Sequence, residues 1–135
     1  MQKVKLGFVP AHRVPFSEDW ARDMRRRCLE VMDRIPDVEF VVPGDDLTAG
    51  GLVRDDADAD RVTELFRREG VQGIVIGAMT FGDEVAAVAV AQNLPGLPVL
   101  LFGTKEGDFL PDGGRRSDSF CGTLSISSGL YRRRI

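Results

Sequence analysis

The chain has 135 residues, 43% of them hydrophobic and 29% charged, with a formal net charge of -3. That length fits one domain, large enough to bury roughly two-thirds of its unfolded surface without disulfide or metal staples. The composition is that of an ordinary globular protein, and the slight negative charge excludes nucleic acid and anionic membrane surfaces as expected partners.

The two cysteines, Cys28 and Cys121, have neither CxxC nor metal-site spacing, so no disulfide framework is expected. The N-terminus MQKVKLGFVP lacks the long apolar region of a signal peptide. No stretch reaches the roughly 20 apolar residues that span a bilayer. A soluble, reducing, cytoplasmic setting is therefore the expectation. Lysine occurs only at Lys3, Lys5 and Lys105, a bias toward arginine with no functional content.

Val4 to Pro10 is a short apolar run of β-formers and predicts a buried first strand. Ser17 is a good N-cap, followed by Glu18 and Asp19 in the first turn. Trp20, Met24, Cys28, Val31 and Ile35 then recur at helical spacing, with charged residues between them, up to Pro36. By this pattern Cys28 belongs to the core. Val38 to Val42 predicts a second strand, stopped by Pro43-Gly44, and Asp45 to Asp56 reads as a polar loop. Asp58 is placed to cap a second helix carrying Val62, Leu65 and Phe66, which Gly70 ends.

Gly73 to Ile76 predicts a third strand and Gly77 to Gly82 a turn. Asp83 opens an Ala/Val-rich helix to Gln92, apolar almost all round and so well buried. Pro98 to Phe102 predicts a fourth strand, and Gly103 to Arg116 a polar loop. Ser117 or Asp118 caps a last helix through Phe120, Leu124 and Leu130, whose terminal arginines suit a helix C-terminus.

Strands alternating with helices imply βαβ units. The expected fold is a single α/β domain over residues 1–135: a Rossmann-like, flavodoxin-like, doubly wound parallel sheet in three α/β/α layers. The first, third and fourth strands are expected at its centre, with the second at one edge beside the first. Only four strands are clear where five or more are usual, and the sequence reads as the first part of something longer.

In such sheets ligands bind beyond the carboxyl ends of the strands. Three strand ends here deliver polar, charged and aromatic groups: Ala11 to Phe16, Gly77 to Glu84, and Gly103 onward to Gly122. His12, the lone histidine, reads as a ligand contact or general acid–base group, or else as a loop histidine without a role; with no second histidine it is a poor metal ligand. Lys105 and Glu106 read equally as a binding pair or as solvated charges. Arg115 and Arg116 are adjacent and rarely point the same way, so solvated charges are favoured. The helix dipole can activate Cys121, but a small packing residue is the commoner outcome. Met79 and Phe81 sit in a glycine-bounded turn, where an aromatic can cover an apolar ligand face. No GxGxxG, GxxxxGK[ST] or HExxH occurs, and no nucleophile triad is readable.

FGTKEG followed by RRSDSFCGTL, with GFVPAHRVPF near the start and AMTFGDE in the middle, resembles the N-terminal region of L-fucose isomerase-like proteins. L-arabinose isomerases are more distant relatives. The resemblance covers essentially the whole chain, and its later segment is the most specific part. It implies the Rossmann-like first domain of a larger, homo-oligomeric subunit that interconverts an aldose and a ketose with a divalent metal, usually manganese (Mn2+). In that family two carboxylates and a histidine from later domains hold the metal, so no metal ligand, no cofactor and no catalytic residue carries over to this chain. The isolated chain is expected to be inactive.

The resemblance further implies that the first domain lines the sugar site of a neighbouring subunit. Carried over as contacts to a monosaccharide substrate are His12, Arg13, Met79, Thr80, Phe81, Lys105, Glu106, Asp118 and Ser119. Two other readings stand beside it: a stand-alone flavodoxin-like sugar-binding module without chemistry, and a purely structural assembly domain.

Overall fold

The computed structural model describes residues 2–135. Four strands, β1 (Val4–Ala11), β2 (Val38–Val41), β3 (Gly73–Ala78) and β4 (Val99–Gly103), alternate with four helices, α1 (Glu18–Met32), α2 (Asp56–Glu69), α3 (Glu84–Gln92) and α4 (Ser119–Arg132). The strands form one sheet in the order β2-β1-β3-β4. Every pairing is parallel: Val4 opposite Val38, Leu6 opposite Gly73, Ile74 opposite Val99. This is a three-layer, Rossmann-like fold with the flavodoxin-like strand order. β1 and β3 are central and β2 lies at an edge beside β1, as the sequence predicts. β4, expected to be central, instead forms the other edge among the described residues.

Side-chain alternation along the strands divides the core in two. Val9, Ala11, Ile74, Ile76 and Ala78 face α2, α3 and α4, packing on Val62, Phe66, Ala87, Val90 and Ile126. Phe8, Val75 and Met79 face α1, packing on Ala21, Met24, Met32 and Leu52. Because both of its faces are covered, β3 reads as a continuous apolar run and is buried along its whole length.

Local chemistry fixes the helix ends. The Ser17 side chain accepts from Trp20 N, Asp83 from Ala86 N and Asp118 from Cys121 N, so each is an N-cap. Gly70 closes α2 at φ 68°, a left-handed conformation that glycine adopts freely.

Several local expectations need correction. Asp55, not Asp58, caps α2: its carboxylate accepts from Asp58 N at 2.8 Å, while Asp58 is buried and accepts from Arg54 N. A short bridge between Ala11 and Val53 holds the preceding chain extended and sets that start point. The loop from 45 to 56 contains a 3-10 turn at Ala49–Gly51. The expected turn at Gly77 begins later, because β3 runs on to Ala78. α1 stops at Met32; Val31 and Ile35 are exposed, and Cys28 is only half-buried. These residues border an apolar groove over Leu100 and Phe102 that no element covers among the described residues. Cys121 is exposed rather than packed. No helix among the described residues is long and apolar enough to cross a membrane.

Candidate functional site

A parallel sheet sends every strand the same way, so the segments after β1, β3 and β4 leave at one edge. In the order β2-β1-β3-β4, successive connections diverge between β1 and β3, and that switch point is where open α/β sheets bind ligands. His12 follows β1 and Thr80 follows β3, and the two meet there: His12 Nδ1 lies 2.8 Å from Thr80 Oγ1. The Arg13 amide donates to the same hydroxyl at 3.3 Å. His12 is 1% exposed. Burial first, and the Arg54 guanidinium second, lower its pKa from 6.5 to about 4. The imidazole is therefore neutral at physiological pH.

Beside this pair lies an amphipathic platform. The Arg13 guanidinium sits over the Phe81 ring, 4.6 Å from its centroid. Phe81 stacks on Phe16 at 5.8 Å. Arg13 also pairs with Glu84, and its Nε lies 3.7 Å from Asp83. Arg54, whose charge also acts on His12, is likewise held by two carboxylates, Glu18 at 3.3 Å and Asp58 at 3.5 Å. Both guanidiniums near the switch point are thus already paired with carboxylates.

A second cluster ties β4 to α4. Ser119 Oγ and Thr104 Oγ1 both donate to Ala78 O at 2.8 Å, and Ser119 Oγ accepts from Thr104 N at 2.8 Å. Glu106 accepts from the Ser117 hydroxyl at 3.0 Å and from Phe120 N at 2.8 Å, where a carboxylate complements the start of α4. Gly122 presses α4 against the turn that carries Phe81: a methyl built there would fall 1.2 Å from Phe81 O. The two clusters are therefore mechanically joined.

The nine residues expected from the sequence separate by position. His12, Arg13, Thr80 and Phe81 come together at the switch point. Met79 is fully buried in the core under α1 and offers no side-chain surface. Ser119 is fully buried, with its hydroxyl both donating and accepting. Asp118 caps α4, 3.5 Å from Arg115. Glu106 is engaged with α4, whereas Lys105 is exposed at the end of the apolar groove, and no ion pair links the two among the described residues. The hydrogen bond to the Asp118 carboxylate raises the Cys121 thiol pKa, the direction opposite to activation.

Sequence reasoning did not single out Phe16, Glu84, Arg54 or Glu18. Phe16 and Glu84 are the last residues of the segments GFVPAHRVPF and AMTFGDE, and an aromatic and an acid so near Arg13 and Phe81 are legible signals. Arg54 and Glu18 reach His12 only through the tertiary fold.

The family model described as "Fucose/sulfoquinovose isomerase, N-terminal domain" matches residues 7–135, nearly the whole chain. The chain belongs to that family. No match was found among curated proteins or among solved structures.

Proposed function

We propose that this member of the fucose/sulfoquinovose isomerase N-terminal domain family supplies the substrate-facing rim of an aldose–ketose isomerase, binding and orienting a monosaccharide rather than transforming it. The observation that carries the reading is the platform at the switch point. The stacked Phe81–Phe16 pair, with the Arg13 guanidinium over the Phe81 ring, offers a mixed aromatic and guanidinium surface to a sugar, and the His12–Thr80 pair stands beside it. Met79, Thr80 and Ser119 act from behind as scaffold, and Lys105, Glu106 and Asp118 form the outer margin. Since Arg13 and Arg54 are each paired with two carboxylates, the rim suits neutral hydroxyls better than a sulfonate. A neutral deoxy sugar of the fucose type is the preferred ligand.

The manganese or similar divalent metal that the resemblance implies does not fit this chain's own donors. Among the described residues no three His, Cys, Asp or Glu side chains converge, and His12 has Nδ1 engaged. No chemical step is assigned through a metal here. A homo-oligomeric, cytoplasmic enzyme of carbohydrate metabolism is part of the same reading.

The alternative, a binding or assembly module without catalysis, draws support from α4. Phe120, Leu124 and Tyr131 form an exposed apolar stripe at helical spacing.

The test is a titration of the 15N-labelled protein with L-fucose, followed by amide chemical shifts. The Arg13, Phe16 and Phe81 amides should shift saturably, Phe81→Ala should weaken binding at least about tenfold, equivalent to roughly 1.4 kcal/mol, and sulfoquinovose should bind less well than L-fucose. A rim that responds to neither sugar would refute the reading.

A further inference from the structure

His12 is the chain's only histidine and is almost fully buried, yet its ring is not closed off at both nitrogens. Nδ1 is engaged by Thr80, while Nε2 makes no hydrogen bond among the described residues. Which nitrogen carries the proton follows from counting donors and acceptors around Thr80. Thr80 is fully buried, and its oxygen already accepts from the Arg13 amide. Its own hydroxyl proton has one acceptor within reach, His12 Nδ1. Were Nδ1 protonated instead, the Thr80 O–H would be a buried donor with no partner, whereas Nε2 is not among the fully buried polar atoms left without one, so the Nε2–H form is favoured.

We propose that His12 serves the switch point as a fixed, uncharged hydrogen-bond donor, its Nε2–H offered to a hydroxyl or carbonyl oxygen of the ligand, with Thr80 as the positioning residue that sets the tautomer. The identity of the ligand rests on the sugar reading above; the tautomer does not.

The surroundings agree. The charged groups that act on the ring are Arg54 and Glu18. Glu18 does not compete for the Nε2 proton, because one of its oxygens accepts from Arg22 and the other from Arg54. Protonation is opposed by burial and by Arg54, so the ring keeps a single proton through the neutral range. A histidine whose Nε2 already holds that proton, and whose Nδ1 faces a hydroxyl, has no free lone pair for a ligand proton. It orients a ligand and selects for an acceptor, and it does not act as a general base.

Long-range proton–nitrogen correlation of the 15N-labelled protein reads this directly, because one histidine gives one unambiguous pattern. The Nε2–H pattern is expected, unchanged from pH 8 to pH 5. Thr80→Val removes the donor and should produce a mixture of tautomers or the Nδ1–H form, and Thr80→Ser, which keeps the hydroxyl, should restore the wild-type pattern. Adding L-fucose should move the Nε2 resonance together with the Arg13 and Phe81 amides. An Nδ1–H pattern in the wild type, protonation near pH 6.5, or a Thr80→Val spectrum identical to the wild type would overturn the proposal whatever the ligand. Sugar-induced shifts at Arg13 and Phe81 with Nε2 unmoved would also overturn it, marking His12 as scaffold in a genuine sugar site. An Nε2–H pattern with no response to sugar anywhere would uphold the tautomer and refute the sugar reading, and with it the ligand named here.

Discussion

Gly122 and Gly129 lie on the same helix, and the same substitution at each should have opposite consequences. Replacing a helical glycine by alanine gains about 1 kcal/mol in intrinsic propensity. At Gly122 that gain meets a backbone: the new methyl falls 1.2 Å from Phe81 O and 2.2 Å from its carbonyl carbon. An ordinary contact is roughly 3.5 Å, so α4 or the Phe81 turn must retreat by about 2 Å. Neither moves freely. α4 is tied to Ala78 O through Ser119, and Ile126 and Leu130 are packed in the core. Overpacking costs typically about 1–3 kcal/mol, more when backbone must shift, so Gly122→Ala should lose about 3 kcal/mol net. At Gly129 the nearest atom is a Val88 methyl at 2.9 Å, which side-chain adjustment relieves, and the net change should lie within about 1 kcal/mol of zero. Thermal unfolding separates the two: at roughly 3–6 °C per kcal/mol for a domain of this size, Gly122→Ala should melt at least about 10 °C lower and Gly129→Ala close to wild type. The Arg13 and Phe81 amides should also shift in Gly122→Ala, since their turn is displaced. Equal melting temperatures for Gly122→Ala and wild type would refute the claimed contact between α4 and the rim.

His12 should impose a pH dependence on stability. Its native pKa of about 4 lies below the ordinary imidazole value of 6.5, so between those values the unfolded chain binds a proton that the native state does not. The contribution is fully present above pH 6.5, falls as pH drops toward 4 and levels off below, losing about 3 kcal/mol in all and about 2 kcal/mol by pH 5. His12→Gln should abolish this component; the gap between wild-type and variant urea midpoints should therefore narrow from pH 7 to pH 5, and a constant gap would contradict the shift. Ser119→Ala leaves the Thr104 amide without its acceptor and should cost about 1–3 kcal/mol in urea unfolding while sugar-induced shifts at Arg13 and Phe81 persist. Loss of those shifts at unchanged stability would make Ser119 a ligand contact instead.

What the sequence determined by itself is whatever depends on neighbours along the chain. The alternation of apolar runs and amphipathic stretches specified four strands and four helices, and the caps Ser17 and Asp83 and the terminator Gly70 were legible because each acts within one helical turn, while between Ser117 and Asp118 only the structure selects Asp118. Parallel strands then required that the segments bearing His12, Phe81 and Lys105 emerge at one edge. Other features were decided only by tertiary structure. In the acidic run Asp55-Asp56-Ala57-Asp58, more than one residue is a chemically adequate cap; the bridge from Ala11 to Val53 selects Asp55 and leaves Asp58 beneath Arg54. Met79 goes to the core rather than to the rim because β3 extends to Ala78, and period-two alternation then turns the next side chain toward α1. The place of β4 at an edge, the pairing of Arg13 and Arg54 with carboxylates, and the burial of His12 against Thr80 depend on residues far apart in sequence. Local propensity carries no information about such contacts. They form only when packing brings separate strand ends to the same place.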